Sequence, residues 1–203
     1  ATKNSQDKYY YNINTGVDYW SGHFLDFIAR FPDGQIINSN ETLILGLHNH
    51  EIFSSYYGYD ADLALFEDMR HAFEGVSTIS LSNSFFDQDM LDDESEMLML
   101  FHWDGSSNTV QDVDYFIWGG IQGAVDKTDV ANYVEDTQAD EQLYFVQTPS
   151  DYYAFSRIEG LEEIDEDSSG GNGIIGQDGT RDNETSEDFR QSWEIISIVE
   201  VGC

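Results

Sequence analysis

The chain has 203 residues, with 40 Asp and Glu against 8 Lys and Arg, giving a formal charge of −32. A surface this negative repels phosphate backbones and anionic headgroups alike, which excludes nucleic acid and acidic membranes as partners. The 40% hydrophobic content, with 13 Phe, 12 Tyr and 4 Trp, is enough to bury a core and argues against a charged disordered segment.

No stretch nears the roughly 20 apolar residues of a membrane-spanning helix, so no membrane insertion is expected. Ala1 opens a polar segment through Lys8 that lacks the basic and apolar regions of a secretory signal, so a signal is expected to have been removed or never to have existed. Cys203 is the only cysteine, and no intrachain disulfide framework is possible. Such acidity suits high salt or divalent cations, because screening over about 8 Å or less removes carboxylate self-repulsion. The expected setting is marine, halophilic or extracellular.

Apolar alternation at period two predicts short strands in chain order. The first is Tyr9 to Ile13. The second, Phe24 to Phe31, sets Leu25, Phe27, Ala29 and Phe31 on one face and Asp26 and Arg30 on the other, and Pro32-Asp33-Gly34 follows as a turn. Strands are next expected over Thr42 to Leu47, Ser77 to Ser82, Glu96 to Trp103 and Val110 to Trp118, the last two joined by a turn at Asp104-Gly105. Leu143 to Gln147, Tyr153 to Ile158 and Glu194 to Val201 complete the set. Helix is expected only over Glu51 to Tyr57, stopped by Gly58, and in a short turn capped by Ser186 and running through Ser192.

Many short strands and few helices predict an all-β, immunoglobulin-like antiparallel β-sandwich with acidic loop insertions, forming a single domain over 1–203. One core is expected to gather Leu25, Phe27, Leu43, Leu45, Leu81, Leu98, Leu100, Val113, Tyr115 and Phe145.

A colinear order of short motifs begins with Phe31-Pro32-Asp33-Gly34, Glu41 to Leu45, Phe53, Tyr57-Gly58, Asp62 and Ile79-Ser80-Leu81-Ser82-Asn83. It continues through Glu96 to Phe101, Asp104-Gly105, Val110 to Tyr115 and Trp118-Gly119. Ala124 to Thr128, Ser156-Arg157-Ile158, Gly170 to Gly173, Asp178 and Glu184 to Phe189 follow towards the C-terminus. In this order the motifs resemble the lamin tail domain family in its bacterial, secreted form, and the resemblance spans about 24–193. It implies an immunoglobulin-like sandwich without catalytic residues, found on cell-surface and secreted proteins. The chain departs from the family in extra material over 121–150 and 159–181.

Two acidic runs suggest calcium, a hard cation that takes clustered carboxylates at short spacing. In the run from Glu159 to Asp167, Asp165-Glu166-Asp167-Ser168-Ser169-Gly170 imitates the start of an EF-hand loop, but the twelfth place is Gly176 rather than Glu. The expected ligands are therefore a non-EF set of Asp165, Asp167, Asp178 and Asp182. A second set is Asp87, Asp89, Asp92 and Asp93.

Asp112 and Asp114 alternate with Val113 and Tyr115, which predicts two carboxylates on one solvent-facing side of a strand rather than a catalytic pair. His48-Asn49-His50 supplies two imidazoles, short of the three or four ligands zinc requires. Tyr9, Tyr10, Tyr11, Tyr56, Tyr57 and Tyr59 offer either core filling or a surface for stacking on sugars or another subunit.

No nucleophile elbow, phosphate loop or haem-attachment pair is present, and no catalytic residue is assigned. The expected function is a non-enzymatic extracellular or cell-surface structural or binding module, adhesin-like or part of an extracellular assembly and stabilised by calcium. Its partner would be a protein or carbohydrate surface, or a second copy. The alternatives are a metal-dependent hydrolase with its site in the acidic inserts, and an interaction domain of a halophile's cytoplasm.

Overall fold

The computed structural model describes residues 1–2, 8–16, 19–20, 26–72, 90–148, 153–161, 166–176 and 178–197. Strand outweighs helix, 26% against 13%, which makes the class mainly β, built of small sheets. The chain divides into two compact units, Lys3–Leu91 with Ala1, and Asp92–Cys203 with Thr2. Each is described by itself. Among the described residues no helix is long and apolar enough to cross a membrane.

In the first unit, Tyr10–Thr15 is a 3-10 helix, not the strand expected over Tyr9 to Ile13. Tyr10, Tyr11 and Ile13 are all buried, so the segment packs on more than one side and strand alternation misreads it. The second expected strand shrinks to β1 (Ala29–Arg30), which pairs antiparallel with β4 (Arg70–His71). Strict alternation fails there, because Asp26, Phe27 and Ile28 are all buried. Gly34, at φ 83°, closes the predicted turn, with Gln35 N–H donating to the Pro32 carbonyl at 3.1 Å.

Of Thr42 to Leu47 only β2 (Leu45–Gly46) is strand, and it runs parallel to β3 (Leu63–Ala64). Between them lies α1 (His50–Tyr57). Asn49 caps it by accepting from Ile52 N–H at 2.8 Å, and Gly58 ends it in the left-handed region. The core of this unit gathers Phe27, Leu63, Leu65, Met69 and Met90, with Leu43, Leu45 and Phe66 partly buried against it.

The second unit is organised on β5 (Glu96–His102) and β6 (Gln111–Trp118), an antiparallel pair in which Met97 faces Ile117 and Met99 faces Tyr115. These four side chains are buried. Leu98 and Leu100, expected in the core, are instead 37% and 43% exposed. Met-Leu-Met-Leu is apolar on both faces, so alternation alone has no means of choosing which face turns inward. Val113 and Leu45 are half-buried, whereas Tyr115 and Phe145 are buried as expected.

The other edge of β6 is lined by extended chain rather than a full strand. Phe145 N–H donates to the Ile117 carbonyl at 2.9 Å, and Asp112 N–H donates to the Asn172 carbonyl at 3.0 Å. The strand expected over Leu143 to Gln147 is thus reduced to single bridges at Leu143 and Phe145.

β7 (Tyr153–Arg157) pairs antiparallel with β8 (Trp193–Ser197), which follows the four-residue helix α2 (Phe189–Ser192), capped by Asp188 in place of Ser186. An aromatic cluster ties these strands to β6, with Phe116 4.0 Å from Trp193 and 4.9 Å from Phe155, centroid to centroid. Leu25, Leu81 and the strand expected over Ser77 to Ser82 lie outside the described residues.

Candidate functional site

A fully buried cation organises the middle of the second unit. Lys127 has no exposed surface, and its Nζ donates to Asp112 Oδ2 at 2.5 Å and to Asp136 Oδ2 at 3.1 Å. Both carboxylates are buried. Asp136 Oδ2 also accepts from the Lys127 backbone N–H at 3.0 Å, and its Oδ1 accepts from Asn172 Nδ2 at 2.6 Å. The Asn172 amide closes a two-way bond with the Val134 backbone, at 3.0 and 2.9 Å.

Aromatic side chains wall this cluster. The Tyr133 ring centroid lies 5.7 Å from Lys127 Nζ, and its hydroxyl accepts from Val110 N–H at 2.9 Å. Tyr115 donates from its hydroxyl to Gln142 Oε1 at 3.1 Å, and Gln142 Nε2 donates to the Val125 and Thr137 carbonyls. Burial pushes the Tyr133 phenol up to about 12 and raises that of Tyr115, so both stay neutral. Burial also raises the Asp136 carboxyl; the Lys127 charge opposes that shift and the Asp112 charge adds to it.

Asp112 reaches this cluster because β6 is bulged. Leu100 pairs with Asp114 and Phe101 with Asp112, leaving Val113 unpaired in the ladder. The extra residue reverses the alternation. The expectation that Asp112 and Asp114 share a solvent-facing side is therefore corrected. Asp114 meets the Arg157 guanidinium, which also donates to Glu187 Oε1 at 2.9 Å and lies 4.8 Å from the Trp193 ring.

The expected calcium ligands are placed apart in function. Asp178 Oδ1 accepts from Thr180 N–H at 3.0 Å and from its hydroxyl at 2.7 Å, which holds that carboxyl below its usual range. Asp167 bridges to Asn183 through the backbone, and the Asp182 carbonyl accepts from Gly173 N–H at 2.9 Å. In the other run, Asp92 Oδ1 accepts from Glu94 N–H at 2.8 Å, and the Asp92 carbonyl accepts from Trp118 Nε1 at 3.0 Å. Asp93 is described as well, while Asp87, Asp89 and Asp165 lie outside the described residues. Among the described residues, no three His, Cys, Asp or Glu side chains are grouped to hold a metal.

In the first unit, His50 Nε2 lies 2.7 Å from Asp68 Oδ2, which also accepts from Ala64 N–H at 2.7 Å, and His50 N–H donates to Glu67 Oε2 at 2.9 Å. The His48 ring packs edge-on against Phe66 at 5.7 Å. The two imidazoles thus serve packing and hydrogen bonding around the start of α1.

The end of that helix presents a different chemistry. Tyr56, Tyr57 and Tyr59 are 76%, 54% and 53% exposed, and α1 buries none of its residues. Phe53 lies 4.6 Å from Tyr57 and 5.6 Å from Tyr59, which gathers these three rings into one aromatic patch beside Gly58, with Tyr56 exposed on its own. Tyr10 and Tyr11 are buried, so the two tyrosine groups divide between core and surface. Comparison of the chain with protein-family models, curated proteins and solved structures gives no match.

Proposed function

We propose that this protein is a non-enzymatic extracellular or cell-surface module of the lamin-tail type, an immunoglobulin-like sandwich that binds a protein or carbohydrate surface. The exposed patch of Tyr57 and Tyr59, packed on Phe53, carries this reading. Tyrosine offers a large, stiff, amphipathic contact that stacks on sugar faces or fills partner pockets at low entropic cost. The charge of −32 selects neutral or cationic partners and favours a salt-rich exterior.

The packing of Phe155 and Trp193 on the Phe116 face of β6 supports a layered β arrangement. The polar cluster around Lys127 is closed to substrate by its burial and acts as architecture. Calcium along the run that includes Asp165, Asp167 and Asp182 belongs to this reading as a stabilising ligand, with Asp178 already engaged by Thr180.

The test is an adsorption isotherm in high NaCl on insoluble neutral polysaccharides and on immobilised copies of the chain, comparing wild type with Tyr57→Ala/Tyr59→Ala. Retention of wild type on one of these surfaces and at least a tenfold weaker hold by the variant supports the reading. Equal retention of both proteins overturns the role of the patch.

A further inference from the structure

The Lys127 cluster places a primary amine against a carboxyl group in a buried, aromatic-walled site beside a second carboxyl. We infer that Lys127 and Asp112 condense into an intramolecular isopeptide bond, with Asp136 transferring the protons. The amine nitrogen, 2.5 Å from Asp112 Oδ2, is one carbon–oxygen bond from the Asp112 carboxyl carbon, and a small shift brings it to the roughly 3–3.5 Å of a near-attack geometry. The fold holds that geometry from several directions: Asp112 N–H is fixed to Asn172, Lys127 N–H to Asp136, and Asn172 to Val134. Pre-positioning of this kind replaces a bimolecular collision by an effective molarity of about 10⁵ M or more.

Protonation states also favour the reaction. One ammonium and two carboxylates, all buried, would leave a net negative charge in a low-dielectric site, a costly arrangement. Proton transfer from Nζ to a carboxylate neutralises the amine, and burial drives Asp136 towards its protonated form. The amine nitrogen attacks Cγ of Asp112, forming the C–N bond. Asp136 takes a proton from the nitrogen and returns it to the departing Asp112 oxygen, and one Cγ–O bond breaks. Of the three ammonium protons, one stays on the amide nitrogen and two leave with the oxygen as water. The ion pair becomes a neutral amide, no redox partner is needed, and Asp136 ends unchanged.

The product would bridge β6 to the segment at Lys127 and lock the second unit covalently. The test is the intact mass of the denatured wild-type chain, followed by peptide mapping with fragmentation. The expected result is a chain one water lighter than its sequence, with a branched peptide joining Lys127 to Asp112, while Lys127→Arg and Asp136→Asn each show the full sequence mass. A wild-type chain at full mass overturns the proposal, as does water loss confined to a linear peptide or a branch on Asp136. An Asp136→Asn chain that still carries the branch overturns the role of Asp136. The wild-type mass decides the bond even if a variant fails to fold.

Discussion

Asp112 and Asp114, two residues apart on β6, serve opposite faces of their strand: Asp112 is buried against Lys127, and Asp114 meets Arg157. The bulge at Val113 produces this split, and through it one strand feeds both the polar cluster and the aromatic layer. The arrangement gives each face of β6 its own anchor. Tyr115 and Ile117 point with Asp112, while Phe116 points with Asp114 towards Trp193.

The facing of β5 sets the first prediction. Met99 is 1% exposed and Leu98 37%, so Met99→Ala should cost about 2–5 kcal/mol and Leu98→Ala under about 1.5 kcal/mol. Urea unfolding of the two variants compares them directly. Equal losses would contradict this facing, and a larger loss at Leu98 would mean that the strand presents its other face to the core.

Acid stability should carry two opposite signatures. Hydrogen bonds from the Arg190 side chain hold the Asp188 carboxyl below 3.8, so its contribution is present above that value and is lost as pH falls through the depressed value. Asp136 is raised by burial, so its contribution is full below 3.8 and is lost as pH rises through the elevated value. Asp188→Asn should therefore flatten the acid side of the stability curve, and Asp136→Asn the side towards neutrality. Urea midpoints taken between about pH 3 and pH 7 measure both. A variant that leaves its own limb unchanged contradicts the assignment.

Salt and calcium test the acidity. Screening of carboxylate repulsion should raise the melting temperature as NaCl climbs to the molar range. At fixed high NaCl, millimolar CaCl₂ against EGTA should raise it further, and Asp165→Asn/Asp167→Asn should remove that increment. Binding at a hundredfold excess over Kd corresponds to about 2.7 kcal/mol. A calcium response that the double variant keeps in full would place the ion elsewhere, and no response at all would remove calcium from the proposed function.

The spans of the longer strands were legible in the sequence, as were the helix stopped by Gly58 and the turn at Gly34. β5, β6, β7 and β8 all fall within a residue or two of expectation where the residues are described. Alternation failed for Tyr10–Thr15, where adjacent Tyr10 and Tyr11 are both buried, and it set the span of Glu96–His102 but not which face turns inward.

The Lys127 cluster depends on a bulge and on two distant loops, none of which period or spacing encodes. One signal was available. The chain has three lysines, and Lys127 is the only one beyond Lys8, so a lone lysine in so acidic a stretch marks a position where a positive charge has a specific use. The tyrosines were legible as a group, but their partition into core and surface required the 3-10 helix and the exposed end of α1.

The claim that Lys127, Asp112 and Asp136 act together to hold the second unit is tested most directly by a double-mutant cycle on the unfolding free energy. Lys127→Met takes the cation from two buried carboxylates and Asp112→Leu leaves Lys127 with Asp136, and each should cost about 3–5 kcal/mol. The double variant removes both and should fall short of their sum by about 1–3 kcal/mol. Additivity within about 0.5 kcal/mol would show that the two residues act independently, and would contradict the account.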